Sequence, residues 1–222
     1  MAVRIALTKG RLEKQAVALL ETAGFECGSA RDKGRKLVLP ADHGNLELVL
    51  AKAPDVITYV ENGVCDMGIV GKDVILEHGH SFYEVLDLGF GACRFAVAAP
   101  KDTRLFQGYA TRRIATKYPK VTRDYFARRG MDVDIVKIEG SVELAPILGL
   151  CDAIVDIVET GDTLRENGLE VMEDICRISA RLIVNIASLK LNKNYYETFI
   201  HRLEQQLPNT DSKGSAWHDK IN

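Results

Sequence analysis

Short β-branched runs alternate with amphipathic stretches along most of the chain. Val3 to Thr8 reads as a strand. Leu12 to Ala23 reads as a helix with Leu12, Ala16, Leu19, Leu20 and Ala23 on its apolar face, and Gly24 stops it. Lys36 to Leu39 and Leu46 to Ala51 read as two strands joined by a turn at Asp42-His43-Gly44-Asn45, a hairpin inserted into the alternating pattern. Pro54 to Asn62 is predicted as a helix ended by Gly63, Met67 to Val70 as a fully apolar strand, and Lys72 to Glu77 as a further helix. The stretch from Tyr83 to Ala99 is strand-rich and closes at Pro100.

The alternation then resumes. Arg113 to Thr116, Val133 to Ile138, Ala153 to Val158 and Leu182 to Ala187 read as strands. Val121 to Arg129, Val142 to Leu148, Thr163 to Asn167 and Asn192 to Leu207 read as helices, the last apolar at Tyr195, Tyr196, Phe199, Ile200 and Leu203. Strands alternating with helices predict an α/β fold of mostly parallel sheet with helices on both faces. The number of elements fits two lobes, with the stretch at 83–99 crossing between them and the last strand and helix returning to the first. The expected division is 1–90 plus 179–207 for the first lobe, 91–178 for the second, and 208–222 as a polar tail.

Two turns carry candidate chemistry. The sequence Glu159-Thr160-Gly161-Asp162-Thr163 follows an apolar strand and opens a short helix. Such a junction offers backbone N–H groups, two hydroxyls and the positive end of a helix dipole, which together suit a phosphate. A plain turn with Thr163 as helix N-cap is the alternative. Asp152 and Asp156 precede it with the same strand parity, so both can face one side. Carboxylates beside a phosphate cradle suit the hydroxyls of a sugar phosphate; a salt bridge or strand-end residue is the alternative. Thr8-Lys9-Gly10-Arg11-Leu12 forms the second turn, again where a strand meets a helix. There Lys9 and Arg11 can clamp a diphosphate around Gly10, or can be solvated surface. Arg31, Lys33, Arg35, Lys36 and Lys52 are further cations. The three glycines from Gly63 to Asp73 match neither a Walker A loop nor GxGxxG, and read as strand–helix packing, with Gly71 to Asp73 placed to line a cleft.

Composition narrows the class. The chain has 222 residues, 46% hydrophobic and 27% charged, enough for a large core. With 29 basic against 31 acidic residues there is no basic excess to hold nucleic acid. The five cysteines form no CxxC, and no two are closer than Cys151 and Cys176, so neither a zinc site nor a disulfide framework is expected. The five histidines lack metal-ligand spacing. No run reaches the length of a membrane span, and Ala2 to Leu7, interrupted by Arg4, is too short and polar for a signal peptide. A cytoplasmic location is expected.

Four blocks together resemble a known family: ALTKGRL at the start, DVITYVENGVCDMGIVGKDVILE in the middle, RIATKYP at 113–119, and GSVELAPILGLCDAIVDIVETGDTLRENGL at 140–169. The chain resembles the ATP phosphoribosyltransferases of histidine biosynthesis in their short form, from about residue 3 to about residue 207. The resemblance implies two lobes like those of periplasmic binding proteins, with the active site between them. It implies attack of adenine N1 of ATP on C1 of 5-phosphoribosyl 1-diphosphate, with release of diphosphate. Glu159 to Thr163 would hold the 5′-phosphate, and Asp152 and Asp156 would lie near the ribose or its Mg2+. Lys9, Gly10, Arg11 and Lys52 would face the diphosphate, with Arg11, Lys9 and Arg35 as catalytic candidates. The adjacent acidic pair of commoner phosphoribosyltransferases is missing, since Asp152 and Asp156 are four apart. The resemblance also implies a regulatory subunit that looks like a histidyl-tRNA synthetase, with self-association besides. A non-enzymatic anion or amino-acid binding module of the same fold is the rival reading.

Overall fold

The computed structural model describes residues 2–208 apart from positions 80 and 109. The tail expected beyond Pro208 lies outside the described residues.

The first sheet has six strands in the order β2-β3-β1-β4-β11-β5. They are β1 (Val3–Thr8), β2 (Val38–Ala41), β3 (Leu46–Ala51), β4 (Met67–Gly71), β5 (Phe82–Asp87) and β11 (Ala180–Asn185). The second has five strands in the order β10-β6-β9-β7-β8. These are β6 (Cys93–Pro100), β7 (Arg112–Thr116), β8 (Val133–Lys137), β9 (Ala153–Val158) and β10 (Leu169–Ile178). The helices are α1 (Arg11–Thr22), α2 (Ala53–Glu61), α3 (Lys72–His78), α4 (Pro119–Arg128), α5 (Leu144–Ile147), α6 (Asp162–Glu166), α7 (Ile186–Leu191) and α8 (Lys193–Glu204).

Parallel pairing is confined to three strands of each sheet, β3-β1-β4 inside the first and β9-β7-β8 at one side of the second. The expectation of mostly parallel sheets is corrected to two mixed sheets, because β2, β11 and β5 add antiparallel in the first, and β6 and β10 in the second. Strand β4 is a continuous apolar run because both of its faces are covered. All five residues of β4 are buried. One face of the first sheet packs on Ala16, Leu19 and Leu20 of α1 and Tyr196, Phe199 and Leu203 of α8. The other packs on Val56, Ile57 and Val60 of α2 and Val74 and Ile75 of α3. Gly68 lets α2 approach β4, since a Cβ there would lie 2.8 Å from Val56 and 2.9 Å from Val60. The second sheet is covered by α4 through Val121 and Phe126 on one face, and by Ala145 of α5 and Leu164 of α6 on the other.

The chain crosses between the sheets twice, and the crossings lie side by side. Leu88 N–H donates to the Ala180 carbonyl at 3.0 Å, and Ala180 N–H to that of Phe90 at 2.9 Å. Ser179 Oγ donates to Asp87 at 2.6 Å. Two elements escape the sequence pattern, β10 and α7. Strand β10 alternates imperfectly because its register slips twice, between Val171 and Glu173 and between Asp174 and Cys176.

Candidate active site between the lobes

In both sheets the parallel strands end on the same cleft. Lys9 follows β1 and Lys52 follows β3, and they are neighbours because Thr8 lies in register with Ala51. Lys9 N–H donates to the Ala51 carbonyl at 2.9 Å, so the backbone places both side chains at one edge. Strand β4 delivers Lys72 and Asp73 beside them. From the facing lobe, β7 runs into Lys117 and Tyr118, and β9 into the turn Glu159–Thr163. This is the carboxyl-end edge at which open α/β sheets bind ligands.

The two predicted turns meet. Arg11 Nη1 donates to Glu159 Oε1 at 3.1 Å and Oε2 at 3.0 Å, joining residues 148 apart in sequence. On the flank of the cleft, Tyr118 O–H donates to Asp73 Oδ2 at 3.1 Å. The Glu77 carboxylate on α3 accepts the backbone N–H groups of Lys120 at 3.0 Å and Val121 at 3.1 Å, so one lobe caps the first turn of a helix in the other. Cys93 sits between these contacts. Burial, helped by Asp73 and Glu159, pushes its thiol up to about 11, with Arg11 opposing.

The Glu159–Thr163 turn has the geometry of an anion cradle. Gly161 lies at φ +84°, a left-handed conformation that L side chains adopt at a cost. It is the N-cap of α6, which starts at Asp162. The alternative that Thr163 caps the helix therefore fails, because Thr163 lies inside it. Thr160 Oγ1 donates to Asp162 Oδ2 at 2.7 Å, and Asp162 is ion-paired with Arg165. Among the described residues, the N–H groups of Thr160, Gly161 and Thr163 meet no backbone carbonyl.

The two predicted aspartates part company. Asp156 lies on β9 close to the cleft, mostly buried, with Oδ1 accepting the Ile157 N–H at 2.8 Å. Burial raises its pKa to about 6, with the carboxylates of Glu143 and Asp73 adding to the rise and Lys117 opposing it. Asp73 is raised for the same leading reason, burial, against its bond from Tyr118. Tyr118 is pushed up in turn by burial and by Asp73. Asp152 does not join them. It precedes β9 at the opposite edge of the sheet, where Oδ2 accepts the Arg113 N–H at 2.8 Å and Oδ1 lies 3.9 Å from Arg112 Nη1. There it lines a separate groove of about 380 Å³ with Thr111, Arg113 and Asp134. The expectation that it reaches ribose or Mg2+ is corrected: strand parity sets the face, and position along the strand sets the edge.

The remaining cations divide as well. Lys33 pairs with buried Glu13, and Arg31 with Glu21 at 2.7 Å. Arg35 and Lys36 are exposed in the segment before β2, and Lys52 is exposed at the cleft edge. Among the described residues, no group of three His, Cys, Asp or Glu side chains could cage a metal. The sequence reading passed over Tyr118, Glu77, Glu143 and Cys93. For Tyr118 a signal existed, since it lies just past the carboxyl end of a parallel strand.

Residues 52–205 match the family described as HisG, ATP phosphoribosyltransferase. The ATP phosphoribosyltransferase of Clostridium kluyveri is 58% identical over 205 residues, covering 92% of this chain and 94% of that protein. The Clostridium acetobutylicum enzyme of the same name is 58% identical over 202 residues, covering 91% and 94%. Among solved structures, the ATP phosphoribosyl transferase (HisG:HisZ) complex from Thermotoga maritima superposes with a TM-score of 0.78 at 34% identity, covering 91% of this chain and 97% of that one. The periplasmic aliphatic sulphonate binding protein SsuA of Escherichia coli shares the fold, with a TM-score of 0.60 at 12% identity over 92% of this chain and 72% of its own. These likenesses and the cleft agree: the chain belongs to the ATP phosphoribosyltransferase family.

Proposed function

We propose that this chain transfers the phosphoribosyl group of 5-phosphoribosyl 1-diphosphate to N1 of the adenine of ATP, releasing diphosphate, as the first step of histidine biosynthesis. The observation that carries the assignment of roles is the meeting of the Lys9–Arg11 and Glu159–Thr163 turns across the cleft. In this reading the 5′-phosphate is held by the N–H groups and hydroxyls of Glu159–Thr163. Asp156 accepts from the ribose hydroxyls. Lys9, Arg11 and Lys52 bind the diphosphate, and Arg11 stabilises the charge it gains as it leaves. Arg35, exposed in the segment before β2, is a further catalytic candidate.

Adenine N1 already carries its lone pair, so attack needs positioning more than a base. The cleft provides it by holding the donor between two lobes. A divalent cation, Mg2+ in our reading, neutralises the diphosphate when bound. Mg2+ is commonly held by one or two carboxylates plus substrate phosphates. Asp156 and Asp73, the two carboxylates raised by burial beside the cleft, are the residues that would hold it.

A regulatory chain that looks like a histidyl-tRNA synthetase is the proposed partner, with self-association besides. The solved HisG:HisZ complex supports a hetero-oligomer. No helix among the described residues is long and apolar enough to cross a membrane, which is compatible with a cytoplasmic enzyme. The test is a single-turnover assay. Diphosphate release that requires both ATP and the phosphoribosyl donor supports the reading; donor binding without release supports a binding module. Histidine is expected to inhibit only the complex, and calorimetric binding of histidine to this chain alone would refute the two-subunit arrangement.

A further inference from the structure

Arg11 is not a free cation awaiting an anion. It is the first residue of α1, where the helix dipole disfavours positive charge. Its compensating carboxylate comes from the opposite lobe, in the turn read above as the phosphate cradle. That turn holds two acidic residues, and they behave differently. Asp162 is tied to Arg165 within its own helix, whereas Glu159 reaches across the cleft. The pair is wet, with side chains 60% and 57% exposed, so it is weak enough for a bound anion to displace.

We propose that Glu159 is an internal competitor for Arg11: its carboxylate occupies the guanidinium and bridges the lobes, and the diphosphate of the donor must displace it to bind. The inference rests on the reading of Arg11 as a diphosphate ligand, and adds that the same turn that attracts one end of the donor restrains the other. The pair is thus a latch on the cleft. Diphosphate binding opens it, and the freed Glu159 is repelled from the anion.

The consequence is unusual for a site residue: neutralising Glu159 tightens product binding. Exposed pairs contribute about 0.2–1 kcal/mol, so removing the competitor should strengthen binding about 1.5- to 5-fold. The experiment is calorimetric titration of the full chain with inorganic diphosphate in MgCl2, for the parent, Glu159→Gln and Asp162→Asn. Asp162→Asn removes the same charge from the same turn without touching Arg11. Tighter binding by Glu159→Gln but not by Asp162→Asn is the expected result. Equal tightening by both would mean only that the turn repels anions, and would overturn the latch. So would unchanged or weaker binding by Glu159→Gln in a chain whose parent binds diphosphate and turns over; the enzyme reading would then stand. A parent that neither binds nor releases diphosphate would remove both. The exposure of the pair means Glu159→Gln should fold, and a circular dichroism melt checks it.

Discussion

Asp152 and Asp156 belong to one strand segment, share residue type and parity, and differ in almost everything else. Asp152 sits just before β9, where the Arg113 backbone N–H donates to it and the Arg112 guanidinium lies 3.9 Å away. Asp156 sits three positions before the turn at the carboxyl end, mostly buried, with one backbone N–H and other carboxylates nearby. One end of the strand is built for stability, the other for binding at a cost in stability. In a sheet with parallel strands, the carboxyl end faces the ligand whatever the side-chain parity. The contrast can be broken or sharpened by substitution, and the effects should fall in order of distance from the leaving group.

The largest effect is expected at Arg11. Losing a well-placed donor to developing charge costs about 100- to 1000-fold in turnover, or about 2.7–4 kcal/mol. Arg11→Ala should slow the chemical step by that order in single-turnover experiments, with ATP binding little changed. A rate within a few-fold of the parent would move the leaving-group contact elsewhere and weaken the case that this edge is the reactive one.

Gly161 comes next. Valine there adds branches over the cradle in a left-handed conformation, with about 1–2 kcal/mol of strain. Losing one charge-assisted hydrogen bond of about 1.5–3 kcal/mol would weaken donor affinity about tenfold to a hundredfold. Gly161→Asn separates the causes, since Asn tolerates φ > 0. It should restore the melting temperature while still binding donor weakly. Unchanged donor affinity in both variants would place the phosphate elsewhere.

Asp156 gives the pH test. Its carboxyl titrates at about 6 when folded, against an ordinary value of 3.8. The folded chain therefore binds more protons than the unfolded chain between those values. Stability falls as pH rises through that window, and the full penalty, at most about 3 kcal/mol, persists above it. Asp156→Asn should raise the melting temperature by several degrees at pH 7.5, lose the advantage near pH 4, and impair turnover. In the parent, kcat/KM for the donor should fall below about pH 6 as the free enzyme's carboxylate protonates. A melting temperature lowered at pH 7.5 would mean Asp156 is a structural anchor like Asp152.

Much of this arrangement could be read from the chain. Strands buried on both faces are legible as apolar runs, unbroken in Met67–Gly71 and interrupted by Asp156 alone in Ala153–Val158. The two turns are legible because glycine, hydroxyl and charge cluster at strand–helix junctions. Strand β10 was not, because a sequence such as LEVMEDICRI with two register slips shows neither clean alternation nor an apolar run. Nor were the pairings of Asp73 with Tyr118 and of Arg11 with Glu159, which topology creates between residues 45 and 148 positions apart. Parity placed both aspartates on one face and carried no information about which edge of the sheet each would occupy.

The smallest effect on chemistry, and the sharpest test of the comparison, is at Asp152. Its carboxylate ties β9 to β7 by accepting the Arg113 N–H and facing Arg112, whose Nη2 is spent on the carbonyls of Arg104 at 2.9 Å and Gln107 at 3.0 Å. Alanine would leave the Arg113 N–H unpaired at the sheet edge and remove a neighbour of Arg112. The expected cost is about 1–3 kcal/mol of stability, the penalty for a hydrogen bond to a charged group. Donor affinity and single-turnover rate, measured well below the melting temperature, should stay within about twofold of the parent, because strand β9 separates the site from the change. Only backbone displacement could carry an effect across, and the ladder to β6 and β7 resists it. A loss of turnover in Asp152→Ala as deep as in Asp156→Asn, in a chain that remains folded, would mean both ends of β9 serve the reaction.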